Sequence, residues 1–272
     1  MKASIVSFIL LTVIIPAPAA FCQQYRLSDG LYRVPYSNGT MVSITTDVWN
    51  HSPLGCMDMS AQNCTNCGIV AAAGGWIRAI RDFNNTSCGG TDCCPEFNNF
   101  IVLEHANGEW SSYIHLKQNS ITNLGHEVDD WVDTGTLLGY EGTVGCSTGQ
   151  HLHLEVSRPF DPTNAWDNFD GVLRRHGELL NPVICSSGNG MFIDGQSYTA
   201  GTCSFNCSAN LTLAGNVTNS VQRADNTITS TTSFASNGTG MYRAGTEIVF
   251  SPGFSATQGV MFTAQIKTCN QN

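Results

Sequence analysis

A mainly β fold is predicted for this chain, and three observations predict it. From Tyr25 to about Cys185 the sequence runs in short β-branched and apolar stretches split by Gly, Asn and Asp. No segment keeps a helical period over three turns; the nearest, Trp166 to Leu180, is interrupted by Gly171 and Gly177. Beyond Cys185, Thr, Ser, Asn and Gly rise, and a short motif recurs. Two units follow: a β-sheet domain over residues 23–185 and a small repeat-like β domain over 186–272, joined at the linker-like Ser186-Ser187-Gly188-Asn189-Gly190.

The elements follow in order. Lys2, the apolar run from Ile5 to Ile15 and Pro16-Ala17-Pro18-Ala19-Ala20 have the charge, length and small-residue tail of a secretory signal over residues 1–22. Eleven residues are too few to cross a membrane, which takes ~20, so no integral membrane segment is expected. Cys22 leaves a lipoprotein reading open, although Phe21 precedes it where a small residue is expected. Ile69 to Ala73, Phe100 to Leu103 and His151 to Val156 read as strands, and Asn107-Gly108 as a hairpin turn. The stretch from Phe83 to Phe97, rich in Asn, Gly, Cys and Pro, reads as a disulfide-stapled loop. In the second unit Tyr198-Thr199-Ala200-Gly201-Thr202 recurs as Tyr242-Arg243-Ala244-Gly245-Thr246, which suits stacked β turns.

Charge and cysteine usage narrow the function classes. With 12 basic against 21 acidic residues and no Lys/Arg block, nucleic acid is excluded as a partner. Twelve cysteines point to an oxidising compartment and to a secreted, extracellular or periplasmic chain. Disulfides are therefore expected in preference to a four-thiolate zinc knot of Cys64, Cys67, Cys93 and Cys94. Cys185, Cys203, Cys207 and Cys269 are expected to close the second unit, and Cys146 to reach Cys56 across a cleft.

Chemistry concentrates in three motifs. In Gly145-Cys146-Ser147-Thr148-Gly149-Gln150-His151-Leu152-His153-Leu154-Glu155, residues two apart on a strand share a face, so His151 and His153 look into one cleft. Glu155 shares that face and either orients His153 or ends the strand in solvent. Tyr113-Ile114-His115-Leu116 carries a third histidine on a β element, and His51 and Asp58 stand in a loop upstream. Two imidazoles and one carboxylate suit a catalytic zinc, because three protein ligands leave a fourth position open. His105 is expected on a strand and partly exposed; His126 and His176 match nothing and are expected at the surface.

These motifs, in this order and together with Val132-Asp133-Thr134-Gly135-Thr136-Leu137-Leu138-Gly139, resemble the lysostaphin-type zinc endopeptidases of family M23 over roughly residues 45–160. The resemblance implies zinc ligands His51, Asp58 and His153, one Zn2+ per chain, and His115 and His151 as metal-free catalytic histidines. It implies hydrolysis of peptide bonds in peptidoglycan cross-links or in glycine-rich proteins, by a chain expected to be monomeric. The family usually spaces its first His and Asp four apart, against seven here. The segment Tyr242 to Phe254, continuing through Gly259 to Ile266, is similar to a stacked-β accessory domain of secreted bacterial proteins. The alternative is a wall-binding or regulatory protein that keeps the fold without catalysis.

Overall fold

The computed structural model describes residues 25–89, 94–185, 190–203, 207–267 and 269. The expected signal segment and most of the expected linker lie outside them. Strands precede the second unit in the order β1 (Leu27–Tyr32), β2 (Met41–Thr46), β3 (Met57–Ala61), β4 (Gly68–Val70), β5 (Gly75–Arg81), β6 (Phe100–His105) and β7 (Trp110–Ile114). They continue as β8 (Trp131–Val132), β9 (Leu137–Tyr140), β10 (Leu152–Pro159), β11 (Gly177–Leu179), β12 (Asn181–Ile184) and β13 (Ser197–Thr199). Among the described residues there is no α-helix, so the mainly β expectation holds.

One antiparallel sheet positions the site. Its order is β13-β2-β3-β10-β7-β6-β5-β8, with β11 pairing the far part of β10. Two-residue alternation divides its side chains between two cores. Leu152, Leu154 and Val156 of β10, Ile101 and Leu103 of β6 and Tyr113 of β7 turn into the main core, with Tyr36, Met57, Met59 and Ile69. Phe100, Val102, Trp110 and Ile114 face the other way, under a cover of Ala165, Val172 and Leu173. That cover is the irregular segment once nearest to a helical pattern. Each such side chain, fully buried, favours folding by about 1.5–3 kcal/mol.

The predicted hairpin is present as β6–β7, with Gly108 at φ +77° in its turn. The predicted loop is stapled by Cys88–Cys94. Cys64 pairs with Cys67, so with Cys94 also bonded elsewhere the four-thiolate knot does not form.

Residues 190–203, beyond the expected boundary, still contribute to the first unit. β13 pairs antiparallel with β2, and Phe192 and Ala200 lie in the main core. The second unit is a stack of parallel strands: β14 (Ser208–Leu213), β15 (Asn216–Ser230), β16 (Ser233–Ala244), β17 (Glu247–Phe250), β18 (Ser255–Ala256) and β19 (Met261–Ile266). Register aligns Leu211, Ile228 and Ile248 in one column, as expected where each rung buries its apolar face on the next. Phe234, Tyr242 and Phe262 fill the interior, and Gly240 admits them, since a Cβ there would stand 2.6 Å from Phe234 and 2.7 Å from Phe262. The recurring Tyr-x-Ala-Gly-Thr string is not the structural repeat: one copy lies at the edge of the antiparallel sheet, the other on β16. Cys207–Cys269 closes the stack, and Cys185–Cys203 ties the segment that leads to it.

Candidate active site

Asp58 and His153 are direct partners across the antiparallel pair β3–β10. Residues so placed have Cβ atoms ~4.5–5.5 Å apart, and His153 Nδ1 lies 3.0 Å from Asp58 Oδ1. Asp58 therefore belongs to a strand, not to the loop expected for it. The loop before it carries His51. Asp47 winds that loop, its carboxylate accepting from the backbone N–H groups of Trp49 and Asn50, while Asp47 O accepts from His51 N at 3.0 Å. His51 Nε2 then reaches Asp58 Oδ2 at 3.2 Å, and its Nδ1 donates to Pro53 O at 2.8 Å. Ligand atoms of His51, Asp58 and His153 all lie within 4.8 Å of one another. Because strand pairing fixes Asp58, the loop back to His51 tolerates the longer spacing.

His115 and His151 join the same cleft. His115 follows the end of β7 with φ +72°, so it leaves the strand where the sequence pattern continued it. Its Nδ1 donates to Val144 O at 2.8 Å, which leaves Nε2 with the lone pair. His151 Nδ1 lies 2.9 Å from Gly149 O and 3.2 Å from Ser147 Oγ, and its Nε2 stands 3.7 Å from Asp58 Oδ1. The two rings are 4.7 Å apart between centroids. Gly145, at φ +84°, begins the turn that delivers His151; a Cβ there would collide with Asn98, whose Oδ1 accepts from Cys146 N at 3.1 Å. These residues line a cleft of about 350 Å³ with Pro95, Val172, Arg174 and Arg175.

Burial and neighbouring charge set the protonation of the group. Burial works to raise the Asp58 carboxyl, but hydrogen bonds from His153 and His51 outweigh it and hold the carboxyl far below the usual range. His115 is pushed down to about 3 by burial and by the charges of His151 and His153, so it is a neutral imidazole at pH 7. Burial opposes the charged form of His153 as well, yet its hydrogen bonds to Asp58, Cys56 and Glu155 raise it well above the ordinary histidine range.

Behind His153 stands Glu155, fully buried, with Oε1 at 3.1 Å from His153 Nε2. The alternative of an exposed strand end is thus excluded. Glu155 also accepts from the N–H groups of Leu173 and Arg174, at 2.6 and 3.0 Å, and from Arg174 Nη1 at 2.5 Å. These bonds and the cations bring its carboxyl down to about 2 against the effect of burial. Arg174 was not legible in sequence, because it lies in irregular chain with no motif around it. Cys56 corrects another expectation: it is a free thiol, buried, donating to Glu155 Oε1 at 3.2 Å. Cys146, its expected partner, is disulfide-bonded elsewhere. Burial, and then Glu155, push the Cys56 thiol up to about 11.

The remaining histidines stay apart from this cluster. His105 is buried rather than partly exposed, with Nδ1 2.9 Å from Gly74 O and Nε2 2.9 Å from Ser111 Oγ. His126 is half-buried against Leu137 O, and His176 is half-buried too.

The family model described as Peptidase family M23 matches residues 55–165. This part of the chain is a peptidase family M23 domain. The matched range holds Asp58, His115, His151 and His153; His51 precedes it. The chain is also similar to the DD-carboxypeptidase/endopeptidase Mpg of Neisseria meningitidis serogroup B, at 34% identity over 68 residues, 25% of this chain and 14% of that protein. The chain thus spans a small part of the length of that curated relative. Among solved structures, the catalytic domain of lysostaphin from Staphylococcus simulans is similar at 22% identity, covering 48% of this chain and 88% of that one, with a TM-score of 0.30. A mutant catalytic domain of the prophage-encoded M23 protein EnpA from Enterococcus faecalis is similar at 19% identity, covering 54% and 93%, with a TM-score of 0.34.

Proposed function

We propose that this chain is an exported, zinc-dependent endopeptidase that hydrolyses peptide bonds in peptidoglycan cross-links, with glycine-rich proteins as the second substrate class. The observation that carries the reading is the convergence of His51, Asp58 and His153 in a cleft that also holds His115 and His151. The donor set fits zinc: two imidazole nitrogens and a carboxylate oxygen, with the other nitrogen of each imidazole already engaged by Pro53 O or Glu155. His51 Nε2, Asp58 and His153 Nδ1 would hold the ion. Bound there, zinc supplies a polarised carbonyl and a water acidic enough to attack at neutral pH.

The protein's own groups do the rest. Glu155 fixes the ring plane of His153, and Pro53 O fixes that of His51. His115, neutral and donating Nδ1–H to Val144 O, presents the Nε2 lone pair as a hydrogen-bond acceptor. His151 is turned by Gly149 O and Ser147 toward the carboxylate side of the cleft, where its Nε2 can hold a proton and return it to the departing amine. Export is supported by the four disulfides described above and by the N-terminal apolar run. Among the described residues no helix is long and apolar enough to cross a membrane.

The test is metal analysis joined to digestion of purified muropeptides. Stoichiometric zinc and release of new amino termini, both lost in His153→Ala, support the reading. A wild-type protein that binds no zinc and cuts no muropeptide after zinc addition refutes it and leaves the wall-binding alternative.

A further inference from the structure

Arg174 brings more donors to the histidine cleft than the chain itself uses. Its Nη1 donates to Glu155 Oε1 at 2.5 Å, and its backbone N–H donates to Glu155 Oε2. Its Nε and Nη2 make no hydrogen bond among the described residues. Neither is among the buried polar atoms left without a partner, so both meet solvent, and the side chain as a whole is 24% exposed. Nε and Nη2 form one edge of the guanidinium plane, and Glu155 engages the other end. Arg175, its neighbour, is different. Its Nη1 lies 2.6 Å from Asp167 Oδ2, and both its Nη atoms meet the Asp170 carboxylate, at 3.0 and 2.8 Å, so its charge is matched within the chain.

The free edge stands at a junction. The histidine cleft and a neighbouring cavity of about 650 Å³ share Pro53, Arg174 and Arg175. The outer cavity has an apolar wall that includes Leu54 and Phe160, 44% and 78% exposed. Of its charged lining residues, Arg26, Arg174 and Arg175 outnumber Glu178, in a chain with only 12 basic residues and a net charge of −9. Toward the metal ligands, one oxygen separates Arg174 from His153: Glu155 Oε1 lies 2.5 Å from Arg174 Nη1 and 3.1 Å from His153 Nε2. A residue of extended peptide spans ~3.3–3.6 Å, so a peptide held at the ligands and running outward passes this guanidinium within a few residues of the scissile bond.

Two parallel N–H groups on one guanidinium edge match the two oxygens of a carboxylate. The edge is also held in place beforehand, because Glu155 clamps both the backbone and the Nη1 of Arg174, which lowers the cost of ordering it on binding. We propose that Arg174 reads a free carboxylate on a residue flanking the scissile bond, so that acidic peptides are cut in preference to neutral ones. The inference rests on the peptidase reading and narrows its two substrate classes. Peptidoglycan stem peptides carry free carboxylates, whereas an all-glycine segment offers this edge nothing but backbone carbonyls.

The experiment compares kcat/KM of the full-length, zinc-loaded protein on cross-linked muropeptide dimers, native and with their carboxyl groups converted to carboxamides. Amidation should lower the wild-type value about tenfold or more, the scale of one charge-assisted pair. Dimers amidated only on the residue before the bond, or only on the residue after it, show which side carries the carboxylate. In Arg174→Gln the ratio of native to amidated cleavage should fall to about one, whatever the absolute rate, since weaker support of Glu155 slows both substrates alike. If Arg174→Gln does not fold, Arg174→Lys carries the comparison: it keeps a cation beside Glu155 without the two-donor edge, and its ratio should fall below that of the wild type. Equal wild-type cleavage of native and amidated dimers, or an undiminished ratio in a folded Arg174 variant, overturns this proposal and leaves the peptidase reading standing. Failure to cut any dimer refutes the peptidase reading, and this inference with it.

Discussion

Asp58 and His153 face each other across β3 and β10 as register partners, their side chains 3.0 Å apart. Two groups contributed by paired strands hold their separation better than groups on loops, because moving either breaks ladder hydrogen bonds. His51, by contrast, arrives on a loop. Asp58→Ala and His153→Ala should each abolish stoichiometric zinc. His51→Ala should weaken zinc by more than the ten- to hundredfold typical of losing an outer partner. Competition with a chromophoric chelator measures all three, and full zinc affinity in His51→Ala would remove His51 from the ligand set.

Much of this site was legible because its signals are local. The alternation around His151 and His153 follows from two-residue strand periodicity, and the hairpin leading to His115 from Asn107-Gly108. What was not legible depends on contacts between distant segments. Nothing near Arg174 says that it will back a buried glutamate nineteen residues away in sequence. Cys56 looked like a disulfide partner for Cys146, since cysteine counting ignores direction; its Sγ instead faces Glu155. In the second unit the short repeated string Tyr-x-Ala-Gly-Thr is visible in sequence, whereas the stacking repeat rests on the spacing of Leu211, Ile228 and Ile248, with no shared motif.

Glu155 supports His153 without facing the cleft, so its replacement separates positioning from ligation. Glu155→Gln keeps the volume and one acceptor oxygen but leaves Arg174 without its carboxylate. Zinc affinity should fall ten- to hundredfold, the range seen when an outer hydrogen-bond partner of a metal histidine is lost. Thermal melts without metal report the structural cost separately. An unchanged zinc affinity in folded Glu155→Gln would show that the 3.1 Å contact with His153 Nε2 has no bearing on the metal.

Gly145 couples backbone conformation to the delivery of His151. At φ +84° an alanine is strained, and its Cβ would also strike Asn98, which both accepts from Cys146 N and donates to Asp170 O. Gly145→Ala should lower stability by at least ~1 kcal/mol and, in the protein that still folds, lower turnover with little change in zinc content. Measuring both on one sample decides the matter: zinc lost together with turnover would mean that the turn supports the ligands and not His151 alone.

His105 is the clearest source of a pH-dependent stability outside the cleft. It is buried, its Nδ1 donating to Gly74 O, and burial holds its pKa below the ordinary value of 6.5 even though that carbonyl, Glu109 and Glu104 favour the charged ring. Unfolded, the same ring protonates as the pH drops through about 6.5. Below that value the unfolded chain binds more protons than the native one, so this contribution to stability is fully present above pH 6.5 and diminishes as the pH falls toward the lowered native pKa. The slope from one such group approaches ~1.4 kcal/mol per pH unit at most. Urea melts of the wild type and His105→Gln between pH 7 and pH 5 should show the difference between the two stabilities shrinking as the solution is acidified. If that difference is constant across the interval, His105 titrates alike in the folded and unfolded chains, and its burial does not exclude the proton.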